Sequence, residues 1–454
     1  MQSGQPARIN LKPSYYWRIV VVLMLMYMYA FVDRTSLSLL VDPIRASLGA
    51  TDVQMSLLLG LAFAGVYCAC NIPSGYLADR VNRRVLLAVA SVVWSLMTML
   101  CGVAHTYAQL VGARAGVAVA EGVLVPTAFS LIRDTVPSRS RALAFSVYGM
   151  APMLGAAISL TSGGLLLRKA ADGAFAGLPV LSTLEPWQCT LVIIGMIGLP
   201  ISLLLLTFRA PPRSGNSPAD REGVIRGIVS ACQYMTYNRR LYVPLVTFCA
   251  FGAMMSFANN AWFPAGLGRY WHLKPQEIGP LLGVMTLAGG VLGLLLGGWI
   301  MNRSVQRGGT ALTYGMLGVT GAALGAVMAF AAPTLHIAYA GMQVCYFFIG
   351  VSYAAAATTL GEITPAAMMG RVSAVYLVIQ TVIGQSAGPY AVAAISEAIF
   401  GKQGNIPVAL CLTMVALAMV CVVAALAFNR QHRIHLTHSE PASAPLFTTR
   451  NQNS

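Results

Sequence analysis

Four ionisable side chains stand where a charge is least at home. Asp33 and Arg34 fall about sixteen residues into an apolar run at 17–40, with Leu37 to Val41 still apolar beyond them. Arg114 and Glu121 fall inside another run at 107–131. On a helix their spacing puts both on one face, about 10 Å apart. Each charge alone in an apolar interior costs about 2.5–3.5 kcal/mol, and four cost about 10 kcal/mol unless they compensate one another. Two acids and two arginines sum to zero, so mutual pairing between the two runs is the expected arrangement. Two kinds of chemistry fit. A permanent cluster would pin two helices together. A protonation switch would use the opposing pulls on a buried acid, because low dielectric favours its neutral form and a nearby arginine its charged form.

A second group of polar residues is uncharged. Tyr67 and Asn71 share one helical face in an early apolar run. Later runs carry Asn259, Asn260 and Trp262, then Tyr339, Gln343, Tyr346 and Tyr353, then Tyr376 and Gln380. Positions 339, 343 and 346 lie on one face. An aromatic and amide wall opposite a charged wall suits an amphipathic ligand, its head on the arginines and its body on the rings. Taken singly, each of these residues also fits an interfacial aromatic belt or an interhelical hydrogen bond.

The elements that position these groups follow from composition. Of 454 residues, 57% are hydrophobic and 9% charged. A soluble domain carries about 25% charged residues, so lipid is the expected solvent. Apolar runs long enough to cross a bilayer fall near 17–40, 54–78, 85–104, 107–131, 142–167, 188–208, 241–265, 278–301, 310–331, 335–360, 372–396 and 406–428. With the N-terminus placed in the cytoplasm, inside segments hold 21 basic residues and outside loops 6. That asymmetry predicts an even number of spans with both termini cytoplasmic. The first run is preceded by Arg8, Lys12 and Arg18 and reads as a retained span. The formal charge of +15 does not point to nucleic acid, because the basic residues sit in short loops and form no continuous face. The nine cysteines contain no C-x-x-C pair and read as small apolar fillers.

A polar stretch at 209–240 splits the chain into a first bundle, 1–208, and a second, 241–428. A polar tail at 429–454 is expected to lack structure. The halves echo one another. Gly75-Tyr-Leu-Ala-Asp79-Arg80-Val-Asn-Arg83-Arg84 follows the second run, and Gly298-Trp-Ile-Met-Asn302-Arg303 follows the eighth. Arg133-Asp134 with Pro137 and Arg141 follows the fourth, and Glu362 with Pro365 and Arg371 follows the tenth. Matching loops at matching ordinals signal a duplicated architecture.

The loop from Gly75 to Arg84 resembles the signature loop of the major facilitator superfamily, with Asn82 where many members have glycine. The second copy has Asn302 in place of the acid. A narrower resemblance, to the spinster-like branch, rests on Asp33-Arg34 with Ser36 to Ile44, on Gly60-Leu-Ala-Phe63, and on Arg114 to Gly122. The organic anion–cation symporters also carry an Asp-Arg element in the first span. The resemblance implies an all-α major facilitator fold of twelve transmembrane helices in two six-helix bundles. It implies acids at Asp33 and Glu121 that take part in proton coupling, with Arg34 and Arg114 as their partners. Lysophospholipids and sphingoid phosphates are associated with that branch.

Together these readings predict a proton-coupled secondary transporter, not an enzyme, in the cell membrane of a bacterium. It is expected to move an amphipathic or aromatic organic anion by alternating access. It should act as a monomer without cofactor or metal, its partners being a small-molecule substrate, protons and the lipid bilayer. Gly401-Lys402 lacks the flanking residues of a phosphate loop, and no H-E-x-x-H or G-x-S-x-G occurs. Rival readings are a proton-driven multidrug antiporter, for which Ala151-Pro152 with Gly155-Ala156 is a partial signal, and a non-transporting receptor or membrane enzyme. Glu121, close to the midplane, is the expected proton carrier with Arg114 as its conformation-dependent partner. Asp33 and Arg34 are expected to tune the outer pathway. Substrate contacts are expected at Arg34, Tyr67, Asn71, Arg114, Asn259, Asn260, Tyr346, Tyr353 and Gln380. A cytoplasmic gate is expected at Gly75, Asp79, Arg80, Arg83 and Arg84, with Asp79 close to Arg371 and the arginines facing the cytoplasm.

Overall fold

The computed structural model describes residues 12–175, 177–179, 181–208, 224–401 and 404–439. Among them every regular element is helical. The first half comprises α1 (Pro13–Leu39), α2 (Asp52–Leu59 and Leu61–Arg80), α3 (Arg83–Gly102), α4 (Tyr107–Glu121 and Leu124–Thr135), α5 (Ser138–Gly149 and Ala151–Ala171) and α6 (Pro186–Thr207). The second comprises α7 (Arg239–Trp271), α8 (Pro275–Val305), α9 (Ala311–Ala331), α10 (Leu335–Ile363), α11 (Ala366–Ile379 running on to Ser386–Phe400) and α12 (Ile406–Ser439). Eleven of these are long and apolar enough to cross a membrane. The other, α11, carries Gln380, Thr381, Gln385 and Ser386 in its middle, which lowers its mean hydropathy.

Two parts of the polar sequence form helix, one of them in the tail expected to lack structure. Helix α12 continues through Ser439, past the boundary at Asn429. Within this extension His432 stacks back on Phe428, 5.5 Å between ring centroids. A helix already running needs no new nucleus, so polar residues extend it readily. The polar stretch between the halves contains a helix, Val224–Tyr237, that packs against the start of α11. There Arg371 Nη1 donates to Ser230 Oγ at 3.1 Å.

Breaks in the helices fall beside the site. Gly60 interrupts α2 where it crosses α11, and a Cβ there would sit 2.6 Å from the Gln385 carbonyl oxygen. Only glycine lets the two backbones approach so closely. Helix α4 is interrupted at Gly122-Val123, immediately after Glu121. Pro126 contributes, since it cannot donate to the Gly122 carbonyl. Helices α8 and α11 each contain a π-helical turn, Thr286–Val291 and Gln380–Gln385.

The halves pack against each other at one end of the molecule, the end holding the last turns of α1 and the first of α2. Helix α2 meets α11 at Gly60, and α5 meets α8 where Gly164 faces Gly279. Arg269, near the end of α7, crosses to the first half. Its Nη2 lies 2.7 Å from Asp42 Oδ1 and 2.7 Å from Asp52 Oδ1. Asp42 sits on the short helix Val41–Leu48 and Asp52 opens α2.

Candidate functional site

Asp33, Arg34, Arg114 and Glu121 form one cluster, paired crosswise between α1 and α4. Arg114 Nη1 lies 2.5 Å from Asp33 Oδ2. Arg34 reaches Glu121 Oε2 with Nε at 2.7 Å and Nη2 at 2.5 Å. The expected partnership of Glu121 with Arg114 is therefore corrected to Glu121 with Arg34. Adjacent residues on α1 point about 100° apart, so Asp33 and Arg34 address different turns of α4, and each meets the opposite charge there. The four are not sorted into an outer pair and a central pair.

The two acids are satisfied differently. Asp33 has both oxygens occupied, Oδ2 by Arg114 and Oδ1 by the Thr98 hydroxyl of α3 at 2.9 Å. Glu121 has only Oε2 paired, and its Oε1 is buried without a hydrogen-bond partner. A buried carboxylate oxygen left unpaired carries a penalty of about 1–3 kcal/mol or more. Glu121 is wholly buried and Asp33 2% exposed, whereas the Arg34 side chain is 14% exposed. Arg34 is the member of the cluster with an edge left open.

Phe63 of α2 lies between the two arginines. The Arg34 guanidinium carbon is 4.6 Å from its ring centroid and that of Arg114 is 4.4 Å away. Arg34 also lies 4.7 Å from the Tyr67 ring and 5.2 Å from that of Phe31. Cation–π contacts of this kind contribute about 0.5–2 kcal/mol each when desolvated. Tyr27 of α1 stacks on Tyr148 of α5 at 4.8 Å, and the Tyr148 hydroxyl is buried without a partner. Phe63 and Tyr148 carried no role in the sequence reading. Phe63 was within reach: it lies one turn before Tyr67 on the face that Tyr67 and Asn71 already define.

The expected second-half residues fall into two groups, Asn259 beside Tyr346 and Tyr353 beside Tyr376 and Gln380. Asn259 is fully buried; its Oδ1 accepts from Cys345 Sγ at 3.4 Å and its Nδ2 has no partner. The next residue, Asn260, is exposed. Tyr346 is buried against Phe263. Gln380 Nε2 donates to the Tyr376 hydroxyl at 2.7 Å, and Tyr353 is half-buried. Trp262 Nε1 donates to the Pro389 carbonyl at 2.9 Å, tying α7 to α11. Asn71 is half-buried on α2. No hydrogen bond or ion pair among the described residues joins these second-half groups to the Arg34 cluster.

At the opposite end of the first half, Gly75, Asp79 and Arg80 lie on the last turns of α2. The Asp79 side chain, and with it the expected contact to Arg371, lies outside the described residues. Arg83 does not face the cytoplasm as expected. Its side chain is buried, pairs with Asp134 of α4 and donates to Ser130 Oγ at 2.9 Å. Arg84 Nη1 donates to the Phe208 carbonyl at 2.8 Å. Asn82 accepts from the backbone N–H of Arg84 at 3.0 Å and so caps α3, a task that glycine in its place performs less well.

Residues 23–389 match the sequence profile of the Major Facilitator Superfamily, and the chain belongs to that family. It is a multi-pass membrane transporter, and its resemblance to the spinster-like branch holds in three dimensions. It superimposes on a bacterial homologue of the human lysosomal transporter spinster, in an inward-facing and unoccupied conformation, with a TM-score of 0.82 at 25% identity, covering 96% of this chain and 100% of that one. It is 27% identical over 421 residues to an MFS-type efflux pump of Mycolicibacterium smegmatis, spanning 90% of this chain and 91% of that one. Over 318 residues it is 26% identical to the D-galactonate transporter of Escherichia coli O6:H1, spanning 64% of this chain and 67% of the relative.

Proposed function

We propose that this chain is a proton-coupled secondary transporter of an organic anion, working by alternating access with Glu121 as the proton-carrying group. The observation that carries the reading is the half-satisfied Glu121 beside a half-open arginine. An incoming carboxylate or phosphate competes with Glu121 for Arg34. If the anion wins, Glu121 becomes a buried charge without a partner, which costs several kcal/mol. A proton on Glu121 removes that charge. Anion and proton therefore bind with positive coupling, and the coupling is reciprocal. Phe63, Phe31 and Tyr67 offer rings to the body of the ligand, which supports an amphipathic or aromatic substrate. With both termini in the cytoplasm, the packed end of the molecule is the outer one, and the conformation described is inward-facing. The likeness to a D-galactonate transporter supports the anion.

Likeness to an efflux pump favours a second reading. A cationic substrate would pair with ionised Glu121 and displace its proton, giving exchange instead of co-transport. The two differ in the sign of the charge recognised. Uptake and counterflow should be measured in proteoliposomes loaded with candidate anions and cations. Glu121→Gln, which imitates the protonated acid, is expected to abolish accumulation driven by a pH gradient while retaining anion counterflow. A Glu121→Gln protein that still concentrates substrate against a gradient would overturn the assignment. Loss of anion binding together with retained cation exchange in the wild-type protein would select the second reading.

A further inference from the structure

Away from the central cluster, the inward end of α8 bears a pocket of about 300 Å³ between this helix and the start of α9. Its walls include Trp299, Arg303 and Ser304 of α8, Arg307 of the following turn, and Tyr314 of α9. The two arginines differ from those buried in the helix bundle. Arg34, Arg83, Arg114 and Arg269 each pair with a carboxylate. No carboxylate among the described residues pairs with Arg303 or Arg307. The contact that orders Arg303 is with the exposed Trp299 ring, 4.3 Å from its guanidinium carbon. Arg307 follows Ser304 by one tight turn, and Gly308, at a φ of 79°, brings the Gly309 N–H back to donate to the Ser304 carbonyl at 2.9 Å.

The approach to this pocket is apolar. Leu292, Leu295, Leu296 and Trp299 are exposed at helical spacing along α8 and form a stripe that ends at Arg303. An exposed aliphatic stripe on a spanning helix faces acyl chains. Tryptophan at its end marks headgroup depth, and an arginine beyond it extends towards the interface. A ligand fitting both surfaces has an anionic head of headgroup size and chains that run back along the stripe.

We propose that this pocket binds the phosphodiester headgroup of an anionic glycerophospholipid, with Arg303 and Arg307 on the phosphate and the acyl chains along Leu292 to Trp299. Both arginines belong to the second half, so the site stays intact as the halves rock against each other. Paired guanidinium donors suit the tetrahedral anion, and each basic group near a membrane surface contributes about five-fold to retention of an anionic lipid.

The test uses the full-length protein purified in a neutral detergent. Phosphatidylglycerol, phosphatidylcholine and inorganic phosphate are titrated separately against thermal unfolding, and retained lipids are counted by native mass spectrometry. Phosphatidylglycerol is expected to raise the unfolding temperature more than phosphatidylcholine, with inorganic phosphate nearly inert. Arg307→Gln should weaken the phosphatidylglycerol midpoint about five-fold, and Arg303→Gln with Arg307→Gln about twenty-five-fold. Should the double variant not fold, the single variant read by mass spectrometry decides. Equal lipid retention in wild type and variant overturns the proposal, as does a shift that inorganic phosphate alone reproduces. Arg168→Gln, at an exposed site elsewhere, should leave retention unchanged; loss there too would show that net charge alone is being read, and would equally overturn it.

Discussion

The molecule holds two networks of arginine and carboxylate that look alike on paper and do different things. In the central one, Arg34 meets Glu121 and Arg114 meets Asp33, all within the first half. In the other, Arg269 of the second half holds Asp42 and Asp52 of the first. Rigid-body rocking of one half against the other preserves every contact of the first kind and breaks every contact of the second. It follows that rocking alone cannot take Arg34 away from Glu121. On the function proposed above, the local competitor for the arginine is an anionic ligand. The network at Arg269 needs no ligand to be dismantled, only motion between the halves, and it resists that motion while it lasts.

Substitutions at the two networks should therefore part company. The largest effect is expected at Asp33, whose removal leaves Arg114 buried without a counter-ion. Asp33→Ala should destabilise the protein by about 3–5 kcal/mol, seen as a lowered unfolding temperature in detergent. Unchanged stability would mean that the central network is looser than its geometry. At Arg269 the fold should survive and the conformational balance should move. Arg269→Gln is expected to shift the balance away from closure at this end by about 2 kcal/mol, or about thirty-fold in population, after allowance for the part-exposed Asp42. The measurement is labelling of single cysteines placed at Ala157 or Thr161, between α5 and α8. Unaltered labelling would remove Arg269 from gating and erase the contrast between the networks. A smaller change is expected at Phe63. Phe63→Leu keeps apolar bulk and deletes the ring between the arginines, which should lower stability by about 1 kcal/mol and weaken anion binding several-fold. The smallest is at Arg168, whose pair with Asp172 is solvent-exposed at 3.9 Å; Arg168→Gln should move neither stability nor labelling measurably.

The bundle was legible because lipid imposes a simple rule on sequence. A spanning helix must be apolar for about 20 residues, and every run that obeyed this became a helix. The run at 372–396 that became α11 is the most polar of the twelve, with Gln380, Thr381, Gln385 and Ser386 in its middle. Asp33, Arg34, Arg114 and Glu121 were legible for the same reason, as charges out of place, and their joint neutrality announced that they would pair. Which arginine takes which acid was not legible. That depends on the rotation of α1 against α4, which side-chain types do not encode. The second-half wall was hardest to read. Asn259 and Asn260 are neighbours of one type, yet one is fully buried and the other exposed, because a helix turns about 100° between them. Arg83 was misread because its neighbours Arg80 and Arg84 suggested a uniformly solvated loop, whereas Asp134 of the adjacent helix draws it inward.

The π-helical turns at Thr286–Val291 and Gln380–Gln385 give the second half a mechanical property that the first lacks among its described residues. A π turn is an α-helix carrying one residue too many for its register. It behaves as a detent. Releasing that residue would rotate everything beyond it by about 100° without unwinding either end. Helices α8 and α11 are the ones that meet α5 and α2 across the division between halves. Each could thus exchange one set of facing side chains for the next in a single click, as a stepped escapement advances.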